Sequence, residues 1–189
     1  FLWSSLMMEG RSAEALKAAT ALVSTITDEE AKGNRSKEAY LTTNLFTRIR
    51  FGQWEDLLRE PPPAKGLRLL EGAWRLGRGM ALVATGRLPG AEGERQALLT
   101  LTKQFRRSKN QQDKLERDLL KIAERLLAGQ IAAQRRRHDE AVKTLREATK
   151  IEDSLQGAEP PHWALPVRHY LGPVLLLAGR APEAEAEYR

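Results

Sequence analysis

Three histidines, His138, His162 and His169, and no cysteine make up the obvious metal and nucleophile inventory of this chain. Without a thiol, disulfides, thiolate metal sites and cysteine nucleophiles are excluded. His162 and His169 stand seven residues apart around the start of a predicted helix, a spacing that can place two side chains on one helical face. Two imidazoles could begin a zinc site. No His-Glu-x-x-His motif and no third ligand at a standard spacing accompany them, so neither a metal nor a cofactor is expected. His138 falls at a packing position near a helix start and reads as structural. Gly33-Asn-Arg-Ser-Lys37 and Gly90-Ala-Glu-Gly93 follow no strand and are not phosphate loops. No serine sits in a Gly-x-Ser-x-Gly elbow. The acid pairs Glu29-Glu30 and Glu152-Asp153 fall at helix ends or loops, where they are solvated or complement a helix dipole. No catalytic set emerges, and a non-enzymatic role is expected.

Charge offers a second chemistry. The net charge is +6, and much of the excess is local, in Lys103, Arg106, Arg107 and Lys109 and again in Arg135, Arg136 and Arg137. Such clusters can bind anions or nucleic acid. Neither carries interleaved aromatics or a nucleic-acid motif, so solvated loops are the first reading and anion or nucleic-acid binding the alternative. No apolar run reaches the roughly 18 residues of a membrane span, and no signal peptide is visible. The chain begins at Phe1 inside one apolar helical pattern and stops at Arg189 inside another. It therefore reads as a segment of a longer array, with self-association through exposed terminal helices possible.

The elements that must position these residues are helical. Apolar residues recur at three- and four-residue spacing, predicting helices over about 1–9, 12–26, 36–51, 53–60, 67–85, 89–105, 112–135, 138–153, 164–178 and 181–189. A short phrase recurs between them: Gly10-Arg-Ser-Ala-Glu-Ala15, Gly86-Arg-Leu-Pro-Gly-Ala91 and Gly179-Arg-Ala-Pro-Glu-Ala184, with weaker copies at Gly52-Gln-Trp-Glu-Asp-Leu57 and Arg136-Arg-His-Asp-Glu-Ala141. Each phrase marks a tight turn, so the helices pair as hairpins over about 1–26, 36–60, 67–105, 112–153 and 164–189, in one array. Arg136 replaces the turn glycine, and that turn is expected to manage without an easy positive φ. Pro61-Pro62-Pro63 stops one helix and Pro160-Pro161 ends a linker. Pro173 lies inside a helix and predicts a kink.

Leu171-Gly172, Leu175, Gly179, Ala184 and Tyr188 resemble the tetratricopeptide repeat (TPR) pattern of small and large positions. Gly129, His138, Ala141, Leu145 and Ala148 fall at matching places, and Gly52 to Gly86 spans the 34-residue period of that repeat. More narrowly, the segments from Phe1 to Ala15, Arg78 to Arg87 and Pro160 to Gly172 resemble an internal part of long bacterial TPR-containing proteins. The resemblance implies an all-α, right-handed TPR-like solenoid of about five hairpins, of bacterial origin, in cytoplasm or periplasm. It also implies a concave groove that binds a peptide or partner segment. The repeat pattern puts Ser4, Met7, Met8, Phe46, Ile49, Arg50, Leu76, Met80, Val83, Gln130, Gln134, His169 and Pro173 on the groove side, either lining it or packed between repeats. Arg50, Gln134 and His169 would orient the ligand. A third reading makes the segment a support for a site in flanking repeats. Trp163 reads as a staple holding the linker to the preceding hairpin. Arg168 is expected either to meet a partner's carboxylate or to pair with Glu152 or Asp153.

Overall fold

The computed structural model describes residues 2–105, 110–155 and 163–188. Among them every regular element is helical: α1 (Leu2–Met8), α2 (Ser12–Val23), α3 (Asp28–Ala31), α4 (Arg35–Leu41), α5 (Thr43–Arg50), α6 (Trp54–Arg59), α7 (Arg68–Ala84), α8 (Leu88–Lys103), α9 (Gln111–Gln134), α10 (His138–Asp153), α11 (Arg168–Leu177) and α12 (Ala181–Glu187). The fold is all-α. Consecutive helices pack as pairs, α1 with α2, α5 with α6, α7 with α8, α9 with α10 and α11 with α12.

One turn joins all five pairs. The N–H groups of Arg11, Gln53, Arg87, Arg137 and Arg180 reach back to the carbonyls of Leu6, Arg48, Leu82, Ala132 and Leu175 at 2.8–3.0 Å. The residue before each also donates three positions back, as Gly86 does to Val83 at 3.1 Å. This pair of bonds is the Schellman closure, and it requires a left-handed residue. Gly10, Gly52, Gly86 and Gly179 supply it with φ of 76°, 67°, 74° and 73°. Five residues further on, the chain is buried each time, at Ala15, Leu57, Ala91, Ala141 and Ala184.

The α9–α10 turn corrects the expectation for Arg136. It does not avoid positive φ but adopts it, at 60°, because both closure bonds are made there as in the glycine turns. A left-handed L-residue costs about 1–2 kcal/mol, and Arg136 is exposed, so its side chain adds no packing in return. Arg136→Gly is therefore expected to raise stability, by about 1 kcal/mol after the added freedom of the unfolded chain is subtracted. Chemical denaturation of the two proteins measures it; an unchanged or lower midpoint would refute the strain.

Three boundaries differ from the sequence reading. The helix expected over 36–51 is split. The Thr42 and Thr43 hydroxyls donate to the Ala39 and Tyr40 carbonyls at 2.6 and 2.8 Å, and such back-bonding competes with the helical ladder. Between the helices expected over 12–26 and 36–51 lies α3, started by a reciprocal capping box between Thr27 and Glu30. Finally, 163–167 is not helical; α11 begins at Arg168 and continues through Pro173 as one helix.

One apolar core runs from Leu6 to Ala184. Its spine is α9, whose Leu120, Ile122, Leu126 and Leu127 are fully buried and which packs on α7, α8 and α10. Charged groups lock helices that are not partners in a pair. Arg35 of α4 pairs with Asp113 and Glu116 of α9, and Arg95 of α8 with Glu124 of α9 at 2.7 Å. Glu38 caps α7 from outside, its Oε1 accepting from the Leu69 and Leu70 N–H groups at 2.7 and 3.2 Å. Burial pushes the Glu38 carboxyl above its ordinary pKa against those two bonds.

Candidate functional site

Most of the expected groove is core. Met7, Phe46, Ile49, Leu76, Met80 and Val83 are all buried, and of these six expected groove residues Ile49 alone also lines the cleft described below. The clearest reason lies at Phe46. Trp163 lies edge-on against its ring, with centroids 5.3 Å apart and planes at 68°. The Trp163 Nε1–H donates to the Leu165 carbonyl, while Trp163, Leu165 and Val167 are buried in the same core. The chain's own segment 163–167 thus reaches α5. Trp163 ties the segment to α5, while the Val167 N–H ties it to Glu152 of the preceding hairpin at 3.1 Å.

This folding-back leaves a cleft of about 570 Å³ between the α5–α6 turn and the start of α11. Ile49, Phe51, Trp54, Leu165, Pro166 and Tyr170 provide its apolar and aromatic walls, and the turn backbone at Gly10 and Gly52 completes the rim. Two nitrogenous side chains enter it, Arg50 and His169. The Arg50 Nε–H donates to the Met7 carbonyl at 2.8 Å, fixing the guanidinium across α1 and α5. One of its terminal nitrogens stands 3.3 Å from His169 Nδ1. Partial burial, then the Arg50 charge, lower the His169 pKa below the ordinary imidazole value. Burial pushes the Tyr170 hydroxyl up to about 12, with Arg50 pulling the other way.

Ile49, Arg50 and His169 are thus the expected groove residues that the structure brings together at the cleft. Met8 and Gln134 are exposed and Gln130 is half-buried; none of them lines the cleft. Pro173 is exposed on α11. Arg168 is occupied internally: its two terminal nitrogens meet both Asp153 carboxylate oxygens at 2.7 and 2.9 Å. Glu152 instead accepts from the Val167 N–H at 3.1 Å. His138 opens α10, half-buried, and His162 lies outside the described residues. Of the basic clusters, Lys103 is exposed at the end of α8 and Arg135, Arg136 and Arg137 are exposed on one turn. Arg137 stands 3.6 Å from Glu140. Arg106, Arg107 and Lys109 lie outside the described residues.

Sequence reasoning missed Phe51, Trp54, Leu165, Pro166 and Tyr170. They belong to a turn, a helix start and a non-helical segment, where periodicity carries no signal. Among the described residues no helix is long and apolar enough to cross a membrane. Compared with known proteins, the chain matches no family model, no curated protein and no solved structure.

Proposed function

We propose that the chain is a non-enzymatic interaction scaffold of the TPR-like solenoid type, and that it holds a partner's peptide segment in the cleft between the α5–α6 turn and the start of α11. The observation that carries the reading is the composition of that cleft. It is a recess of about 570 Å³ with aromatic and aliphatic walls and two adjacent polar handles, Arg50 and His169. Concave, largely apolar sites with a few convergent polar groups are the usual form of a ligand pocket. The volume suits two or three side chains of a peptide better than a whole domain. The five matching turns support the repeat reading, since one turn chemistry recurs at each helix pair.

Selection of a random peptide library on the chain tests this. Enriched peptides are expected to share an apolar anchor, to survive washing at about 0.5 M salt, where surface attraction is screened, and to lose binding on Trp54→Ser. Enrichment that ignores Trp54→Ser and washes off with salt would move the function to the exposed arginines. No enrichment would make the segment a support for sites elsewhere.

A further inference from the structure

We propose that the cleft takes a glutamate or aspartate side chain of its partner segment, gripped jointly by Arg50 and His169, with the flanking apolar residues of that segment against Trp54 and Leu165. The inference rests on the peptide reading above and gives it a chemistry.

The first support is an uncompensated charge. The half-buried arginines Arg35, Arg48, Arg75, Arg78, Arg95 and Arg168 each pair with a carboxylate. Arg50 is equally half-buried, yet among the described residues it forms no ion pair; its partners are a carbonyl and an imidazole. A half-buried guanidinium with no anion beside it is left uncompensated, and a ligand carboxylate is its complement. The second support is the neighbour. Arg50 and His169 face each other at 3.3 Å, an arrangement that opposes protonation of the ring. A carboxylate bound to both relieves that opposition and lets His169 take up a proton. No described carboxylate pairs with His169. The other groups around it are the Tyr188 ring just after α12, 6.5 Å between centroids, Tyr170, and Arg168, whose charge is spent on Asp153 and Glu187.

The walls decide what carries the carboxylate. One permanent cation among apolar side chains matches one negative charge and not a phosphate, which attracts clusters of donors. An acidic side chain reaches the half-buried guanidinium on its own stem. A chain terminus would have to bring its last peptide group into an apolar recess.

The test is a titration of the isotope-labelled chain, followed by NMR, with three probes: Ac-Leu-Glu-Leu-NH2, Ac-Leu-Gln-Leu-NH2 and Ac-Leu-Gln-Leu-OH. At pH 6 the glutamate peptide is expected to bind roughly tenfold more tightly than the glutamine peptide, a difference of about 1.4 kcal/mol. Arg50→Gln is expected to erase that preference, with the Trp163 indole signal unmoved as the check on folding. The His169 pKa is lowered in the free chain and rises when the carboxylate binds. Affinity therefore increases as pH falls from 7.5 toward 6, and His169→Gln removes the increase. Equal affinity for the glutamate and glutamine peptides overturns the acidic side chain while leaving the cleft a peptide site. Preference for the free terminus also overturns it. If no probe moves the Trp54 or Tyr170 signals, the peptide reading fails and this inference with it.

Discussion

Trp163→Ala lowers the stability of the chain by about 3–5 kcal/mol, the usual cost of truncating a large buried aromatic, and separates Arg50 from His169. The side chain is only 6% exposed. Three contributions are lost together. The largest is burial in the common core. Next is the edge-to-face contact with Phe46 at 5.3 Å, worth about 0.5–1.5 kcal/mol beyond area. Last is the indole hydrogen bond to the Leu165 carbonyl. That bond turns the chain within two residues, so that Leu165 and Val167 also point into the core and α11 starts beside the α5–α6 turn. Trp163→Phe keeps a ring against Phe46 and loses the hydrogen bond, leaving the Leu165 carbonyl to find another donor. About 1–2 kcal/mol is expected for it. Urea denaturation gives both values, and the His169 ring resonances report whether the cleft persists. A loss under about 1 kcal/mol for Trp163→Ala would mean that the segment 163–167 is held by its neighbours in sequence and not by α5.

How much of this was legible in the sequence depends on the range over which each feature is determined. The helix pairs and their turns were readable because a Schellman closure is local: a glycine, the residue after it and a buried small or apolar residue five positions on suffice. Arg136 shows the limit of that logic. The turn is imposed by α9 and α10 packing together, and the residue present then accepts the strain. Thr42 and Thr43 divided a predicted helix because hydroxyl back-bonding lies outside apolar periodicity. The groove was misread for a longer-range reason. The repeat pattern assigns Phe46, Ile49 and Met80 to one side of an array but is silent on what else packs there, and all three are buried. Segment 163–167 lies beyond two further helix pairs in the chain. The contact that matters most to the cleft joins residues 119 positions apart, and neither Arg50 nor His169 carries a local mark of the other. Arg168 was legible only as a choice between acids; the two-oxygen geometry at Asp153 decides it.

Gly129→Ala is expected to destabilise the chain by about 1–3 kcal/mol even though alanine is the better helix former. The glycine sits inside α9, where it forfeits roughly 0.8–1.0 kcal/mol relative to alanine. It is retained because α10 crosses there: a Cβ at this position would lie 2.6 Å from Leu145 Cγ and 2.7 Å from its Cδ2. Leu145 is fully buried and cannot swing out, so the helices must separate or the leucine must leave its rotamer. Gly172 makes the useful contrast, since the atom an added Cβ meets there is the end of the half-exposed Tyr188 side chain, which can move. Gly172→Ala is therefore the milder change. The contact with Leu145 is identified by a double-mutant cycle. Leu145→Ala alone opens a cavity costing about 2–5 kcal/mol. In Gly129→Ala/Leu145→Ala the new methyl occupies part of that space and the clash is gone. The pair should then be less destabilised than the sum of the singles, by about 0.5–3 kcal/mol. Simple additivity in denaturant melts would show that Gly129 is not there to admit Leu145, and that the close approach of α9 and α10 is set by the turn at Arg136 instead.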